Sequence, residues 1–351
     1  MRGSRGTVPG VAAEALISIR GAPDSYSKLC GRQDCLGRYG WWGLQLAWFA
    51  KRKIKVANGL LGIETSPEGI ALARVLREPG QPPRLLECQF HEAASVEQPA
   101  LLKRLVNELG FAGMPVNLLL HPATYQMLLL DSPDVPATEL RDAMRWRVKE
   151  LISEPLENVV VDAFNLPEDA YRGRSRMAYC AVLNKARMHA LGAMCNEAGL
   201  RLGSIDVTEM AFRNLGVLAG SEGMSLALLR LRSSEGLIAV QHGADLYMAR
   251  RIEQGLDQAD PEFSAMTLEI QRSLDYYESQ LGKGYINRLL LLPMKRNGAA
   301  ALQALSNGLA VKLQALDLRE LFPGQASAEL SEQEQAYCMG AVGAALRQEA
   351  G

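Results

Sequence analysis

The order of apolar and polar positions from residue 60 onward alternates between strand-like and helix-like periods. Three runs bounded by Pro- and Gly-rich turns predict strands over Leu60–Ser66, Ile70–Arg77 and Leu85–Phe90. Apolar residues then recur at helical spacing over Ala100–Leu109, and Val116–Leu120 is typical of a buried strand. This part of the chain therefore predicts three strands, a helix and a fourth strand.

The same order of elements recurs in the second half of the chain. The predicted strands there are Leu226–Leu231, Leu237–Gln241 and Leu246–Arg251, followed by a long helix over Pro261–Leu281 and a strand over Arg288–Leu292. Two copies of one unit, each a mixed sheet covered by helices, predict two lobes with a cleft between them. We expect an α/β protein with the duplicated architecture of the actin-like, sugar-kinase and Hsp70-type fold.

A segment between the two copies, residues 123–205, predicts a small inserted α/β subdomain. Its predicted strands span residues 125–130, 159–164, 177–183 and 202–207, and its predicted helices span 138–152 and 185–198. The remaining residues, 56–122 and 206–351, are assigned to the two lobes.

Residues 1–55 differ from the rest of the chain in both pattern and charge. They hold ten Lys and Arg against three Asp and Glu and show no sustained apolar period, whereas the whole chain has a net charge of −1. We expect a disordered basic leader, or a start assigned too early with the natural chain beginning near Leu46. Their interrupted apolar runs argue against a secretory signal. The body is mildly acidic, which argues against nucleic acid as a partner.

Membrane-spanning and metal-binding patterns are missing from the sequence. No stretch reaches the ~18 apolar residues that a spanning helix needs. The six cysteines are scattered and expected to be reduced, and the close pair Cys30 and Cys35 has no neighbouring ligands for a metal. The histidines also lack ligand spacing, so we expect turn or surface positions for His91, His121, His189 and His242.

Several segments resemble a known family. They are the run Leu140–Ile152, Pro155 with Val159–Asp162 after it, the helical run Glu269–Gln280, and the ending Ala336–Leu346. Together they resemble PilM of the type IV pilus machinery, and most of all its MshI branch from mannose-sensitive haemagglutinin (MSHA) pilus biogenesis. The resemblance implies a cytoplasmic, actin-like protein that lies at the inner membrane by binding the short cytoplasmic tail of a PilN-like bitopic protein.

The three turns that would hold Mg²⁺ and ATP in an actin-like cleft depart from the expected pattern. The first offers Glu64 and then Pro67, which lacks an N–H donor. The second places Arg230 where an acidic metal-facing residue is expected, and the third has Pro293 and Met294 in place of two glycines. A like charge 4 Å from a metal costs ~4 kcal/mol even at an effective dielectric constant of 20. We therefore expect no ATPase activity and no required cofactor.

A degenerate nucleotide cleft remains an open alternative, because an arginine can bind phosphate without a metal. The residues expected to line it are Glu64, Ser66, Arg230, Glu269 and Arg272. The last two follow only from the resemblance to the fold, and an ordinary solvated helix face is the plainer explanation for them.

The predicted helix over residues 138–152 carries a candidate partner-binding surface. Leu140, Met144 and Val148 form an apolar stripe, while Trp146 lies off this stripe among basic residues. Exposed Trp beside Arg is typical of binding hot spots, although a solvated basic face is the plainer interpretation. The candidate partner-binding residues are Arg145, Trp146 and Lys149.

The resulting expectation is a non-catalytic scaffold of a pilus assembly platform that binds a partner's peptide in a groove between the first lobe and the inserted subdomain. Two alternatives stay open at this point. One is an ATP-binding protein of the same fold whose nucleotide state controls partner binding. The other is a sugar or acetate kinase, disfavoured because no Asp-x-Gly phosphate turn is present.

Overall fold

The computed structural model describes residues 58–171, 176–281, 284–324, 327 and 329–348. The predicted basic leader 1–55, the alternative start near Leu46 and the pair Cys30 and Cys35 lie outside these residues.

The first predicted unit forms a five-stranded sheet with the spatial order β3-β2-β1-β4-β8. The strands are β1 (Leu60–Thr65), β2 (Gly69–Leu76), β3 (Arg84–Glu92), β4 (Pro115–Leu119) and β8 (Arg201–Asp206). Strands β1 to β3 pair antiparallel through short turns, whereas β4 runs parallel to β1 and β8 parallel to β4. Helix α1 (Gln98–Glu108) makes the crossover from β3 to β4, as parallel pairing requires.

The second unit repeats this arrangement with the order β11-β10-β9-β12-β13. The strands are β9 (Ser225–Leu231), β10 (Gly236–His242), β11 (Asp245–Ile252), β12 (Arg288–Leu291) and β13 (Leu313–Ala315), with crossover helices α5 (Ser264–Gln280) and α6 (Gly298–Gly308). The matching orders confirm the predicted duplication. Helix α5 begins three residues later than predicted, because the Asp260 carboxylate accepts the backbone N–H of Ser264 and fixes the first turn there.

The inserted segment forms a three-stranded antiparallel sheet with the order β5-β7-β6. Its elements are β5 (Tyr125–Asp131), α2 (Leu140–Val148), β6 (Val159–Asn165) and β7 (Met177–Asn184). Helix α2 is shorter than the predicted helix over 138–152. Pro155 disfavours helix in the residue before it. The Arg145 guanidinium also donates to the Leu156 carbonyl at 2.8 Å, which fixes the chain where it returns toward β6.

Residues 185–205 complete the first lobe, although the sequence groups them with the inserted segment. Helix α3 (Lys185–Glu197) packs against α1, and β8 pairs with β4. The sheet of the inserted segment therefore spans only residues 125–184.

The last long helix returns to the first lobe. The remaining helices are α4 (Thr208–Leu218), the short α7 (Leu318–Leu321) and α8 (Glu332–Ala345). Helix α8 lies on β1 and β2 and against α4, although its residues fall in the range assigned to the second lobe. One apolar cluster joins α4 and α8 to strands of both sheets, so these two helices bury the facing surfaces of the two lobes.

Candidate functional site

A cleft of about 430 Å³ lies between the two lobes. The parallel pairs β1 with β4 and β9 with β12 direct their carboxyl ends toward it, which is where ligands bind in open α/β sheets. The side chains that determine its chemistry are Glu64, His121, Arg230, Arg232, Lys295 and Tyr337.

An ion pair joins the two lobes across this cleft. The Arg232 guanidinium, just after β9, donates to a Glu64 carboxylate oxygen of β1 at 2.9 Å. Its other terminal nitrogen lies 2.5 Å from Nε2 of His121, which follows β4. One arginine of the second lobe thereby holds two residues of the first.

His121 is held in its neutral form. Burial, and then the charges of Arg232 and Arg230, lower the pKa of His121 from 6.5 to about 3. A neutral ring has a lone pair on one of its two nitrogens, and in the tautomer with hydrogen on Nδ1 the Nε2 atom accepts the hydrogen bond from Arg232. The histidine therefore adds no positive charge to the cleft at pH 7.

Arg230 lies in β9 with only 8% of its surface exposed. Its guanidinium lies over the Phe212 ring at 4.9 Å, and among the described residues its buried Nε has no hydrogen-bond partner. Burial, and then the charge of Arg232, lower its pKa to about 10, so it remains charged at pH 7. The wall of the cleft thus contains a buried cation whose Nε donor is unpaired among the described residues.

Lys295 and an aromatic pair form the rim of the cleft. The Lys295 ammonium pairs with Glu68 and lies 4.1 Å from the centre of the Tyr337 ring. Tyr337 in turn stacks on Phe90 at 3.8 Å between ring centres. This rim joins β3, α8 and the segment after β12.

Three of the five predicted cleft residues line the cavity, namely Glu64, Ser66 and Arg230, whereas Glu269 and Arg272 are not among its lining residues. Ser66 stabilises its own turn, because its hydroxyl accepts the backbone N–H of Gly69 at 3.2 Å.

Sequence reasoning missed His121, Arg232 and Lys295, and His121 was expected to be a turn or surface residue. Arg232 carried a usable signal, since residues two apart in an extended chain share a face with Arg230. For His121 and Lys295 the signal was their position just after the predicted strands β4 and β12.

A second concavity of about 620 Å³ lies on the inserted segment, beside α2. We call it the α2 surface, and it is lined by Arg145, Trp146, Lys149 and residues 153–157. The apolar stripe of α2 is buried as predicted, and Trp146 is 68% exposed. All lining residues belong to the inserted segment, so this concavity is not a groove between that segment and the first lobe.

The described residues hold neither a cluster of metal ligands nor a helix suited to cross a membrane. Within these ranges, no group of three or more His, Cys, Asp or Glu side chains could hold a metal ion. No helix in the same residues has the length and apolar character needed to cross a membrane.

The sequence matches no protein-family model and no curated protein. Among solved structures, a PilM–PilN type IV pilus biogenesis complex aligns with a TM-score of 0.61 and 19% identity, covering 82% of this chain and 99% of that chain. A Bacteroides thetaiotaomicron protein with an actin-like ATPase fold aligns with a TM-score of 0.48, 12% identity, and coverage of 77% and 94%. The cytoplasmic domain of EpsL, an inner-membrane component of the Vibrio cholerae type II secretion system, aligns at 0.42, 11% identity, and coverage of 66% and 81%.

At 19% identity, the alignment with the PilM–PilN complex shows a shared fold. The chain has an actin-like fold. Its duplicated sheets, the cleft between them and the small inserted subdomain are the features that it shares with that fold.

Proposed function

We propose that this protein is a non-catalytic scaffold of a type IV pilus assembly platform that binds the cytoplasmic tail of a PilN-like inner-membrane protein. The observation that carries the proposal is the alignment with the PilM–PilN complex, which covers 99% of that chain. The sequence resemblance to the MshI branch makes an MSHA-type pilus the specific system. In this role the protein is cytoplasmic and lies at the inner membrane through its partner.

The α2 surface is the proposed docking site for the partner's peptide. Trp146 offers a large, rigid apolar area in a concavity, and large aromatic residues of this kind dominate binding energies at interfaces. Arg145 is already fixed by its bond to the Leu156 carbonyl, so little side-chain entropy is lost when a peptide packs beside it.

Titration of a labelled peptide tests this proposal. The peptide is the cytoplasmic N-terminal segment of the PilN-like membrane protein. Trp146→Ala should weaken binding by roughly thirtyfold, since truncating a hot-spot aromatic costs at least ~2 kcal/mol.

Tyr285→Ala is the matched control, because this tyrosine is 82% exposed but lies on the second lobe. It should bind the peptide like wild type. Equal affinity of the Trp146 variant would remove the α2 surface from the site, and no binding by the wild type would contradict the scaffold proposal.

The absence of catalysis is the second part of the proposal. A Mg²⁺-nucleotide fits the cleft poorly, because Arg232 holds Glu64 and because Arg230 would repel the metal. We expect no Mg²⁺-dependent ATPase activity above background, measured as phosphate release by the full chain. Steady hydrolysis that Glu64→Ala abolishes would contradict this expectation.

A further inference from the structure

The basic run before strand β1 has no role in the function proposed above. Residues 46–55, which lie outside the described ranges, have the sequence Leu-Ala-Trp-Phe-Ala-Lys-Arg-Lys-Ile-Lys, with four basic side chains after two adjacent aromatic ones. No acidic residue occurs between Asp34 and Glu64 to offset them. Uncompensated Lys and Arg beside Trp and Phe are typical of segments that bind anionic lipid surfaces, where the aromatic rings lie among the headgroups.

The covalent connection to β1 limits how far this run can reach. Strand β1 begins at Leu60 and lies in the middle of the first sheet, with two strands on each side. Five residues lead from Lys55 to Leu60, and an extended chain spans at most ~3.6 Å per residue, so Lys55 stays within ~18 Å of Leu60 in any conformation. The run therefore meets the edge of the sheet at which β1, β4 and β8 begin, which we call the amino edge.

The amino edge carries positive charge of its own. Arg84 is the first residue of β3 and Arg201 the first residue of β8, and both are exposed. Each lies two strands from β1, one on either side, which is ~10 Å at the ordinary spacing of strands. Arg77 and Glu78, adjacent after β2, offset each other, and Glu197 at the end of α3 contributes one negative charge. The run and the edge together carry an excess of positive charge.

We propose that residues 46–55 and the amino edge of the first sheet bind an anionic lipid bilayer directly. The charges attract the surface over the ~8 Å Debye length of about 0.15 M salt, and Trp48 and Phe49 supply the apolar contact. The cleft lies at the other ends of these strands, so the contact leaves it open. The proposal does not depend on a peptide at the α2 surface.

Nucleic acid is the other polyanion that a basic run can bind, and the charge of the remaining chain disfavours it. Residues 1–55 carry +7 of a total net charge of −1, so the remainder carries −8. A nucleic acid that extended over this acidic remainder would be repelled. A bilayer meets only one edge of the protein, where the basic residues are.

Flotation of the full chain with lipid vesicles, without any partner protein, tests the proposal. Vesicles of phosphatidylcholine mixed with phosphatidylglycerol are compared with vesicles of phosphatidylcholine alone. We expect binding to the anionic vesicles at about 0.15 M salt, little binding to the neutral ones, and at least tenfold weaker binding at about 1 M salt, where the Debye length is ~3 Å. No binding to the anionic vesicles, or equal binding to both kinds, would overturn the proposal.

Lys51→Gln combined with Lys55→Gln should weaken binding to anionic vesicles at least tenfold. Each basic residue near such a surface contributes about fivefold, the equivalent of ~1 kcal/mol. The matched control is Arg250→Gln combined with Arg272→Gln, which removes two exposed arginines of the second lobe and should bind like wild type. An equal loss in this control would show a dependence on total charge alone and would overturn the proposed site.

Two further variants test the edge and the aromatic contact, each with a wild-type thermal midpoint as evidence of folding. Arg84→Gln combined with Arg201→Gln should weaken binding several-fold. Trp48→Ala should also weaken it, whereas Tyr285→Ala, at an exposed aromatic residue of the second lobe, should not. Wild-type affinity of either basic double variant would overturn the proposal. So would tighter binding to a single-stranded oligonucleotide at the same phosphate concentration, because the run would then be a nucleic-acid site.

Discussion

At Gly62, strand β1 lies against helix α8 with no room for a side chain. A Cβ atom there would lie 2.0 Å from the carbonyl oxygen of Ala341 and 2.6 Å from the backbone nitrogen of Ala345. Both atoms belong to the backbone, so the helix itself would have to move. Because Gly62 has no side chain, the first sheet and its covering helix can approach each other this closely.

We predict that Gly62→Ala lowers the free energy of unfolding by about 1–3 kcal/mol or more, the usual cost of overpacking a core. Urea unfolding followed by circular dichroism measures it. Gly192→Ala is the control, because its new Cβ would meet only Leu202, at 3.8 Å, and should stabilise α3 by about 0.5–1 kcal/mol. Equal stabilities of the two variants would contradict the close approach of β1 and α8.

Single residues also show how far the cleft could be predicted. Arg230 was identified because it stands, near the end of β9, where an acidic residue is expected in this fold. The bridge from Arg232 to Glu64 and His121 was not predicted, because the three residues come from three strands in two lobes. Which of them meet depends on how the lobes pack, and no local pattern encodes that.

At the scale of elements, helix α8 begins with a reciprocal pair of hydrogen bonds. The Ser331 hydroxyl accepts the backbone N–H of Glu334, and the Glu334 carboxylate accepts the backbone N–H of Ser331 at 2.8 Å. The hydrogen bonds from Ser331 lower the pKa of Glu334 below its ordinary 4.5. This cap fixes the point where the helix starts to cover the first sheet.

We predict that Ser331→Ala destabilises the protein by about 1 kcal/mol at pH 7, the usual value for a lost cap. The lowered pKa of Glu334 adds stability above about pH 4.5, and this contribution is lost as the pH falls through the folded-state pKa. The difference between wild type and variant should therefore shrink below pH 4.5. Urea unfolding at several pH values measures it, and a difference that grows toward acid pH would contradict the assignment.

Ser279→Ala provides the control for this series. Ser279 is an exposed serine near the end of α5. Its hydroxyl makes two long bonds, donating to the Tyr276 carbonyl at 3.4 Å and accepting from the Gln280 side-chain amide at 3.4 Å. Its loss should change stability by less than ~0.5 kcal/mol, with no dependence on pH in the same range.

The sequence was most informative about where the strands and helices lie. Strand positions followed from local alternation, and the predicted strands β1 and β9 end within one residue of the observed ones. The end of α2 was predicted four residues too late, because the apolar Leu151 and Ile152 continue the helical spacing although the helix ends at Val148. The Ala- and Gly-rich α8 is apolar on all sides, which predicts burial but not the sheet that it covers.

At the scale of the whole molecule, one tyrosine links the inserted segment to the second lobe. The Tyr179 hydroxyl, in β7, accepts the backbone N–H of Ala249 at 2.8 Å and donates to the carbonyl of the same residue at 3.3 Å. Ala249 lies in β11, the edge strand of the second sheet. The hydroxyl thus takes the place of a neighbouring strand at that position.

We predict that Tyr179→Phe raises the hydrogen-exchange rate of the Ala249 amide about tenfold, because a lost hydrogen bond costs about 1 kcal/mol or more. Mass spectrometry of a peptide that spans β11 measures it. Tyr276→Phe, in α5, serves as the control and should leave exchange in β11 unchanged. Identical exchange in wild type and Tyr179→Phe would show that the hydroxyl does not protect this edge.

The return of α8 to β1 has a consequence for synthesis on the ribosome. Ala341, the residue against which Gly62 packs, is made 279 residues after it. At ~5–20 residues per second, the first sheet waits roughly a quarter of a minute to a minute for its covering helix. During that time its apolar face is exposed, so this half of the protein completes its folding only after α8 has been made, and chaperones have that interval in which to act.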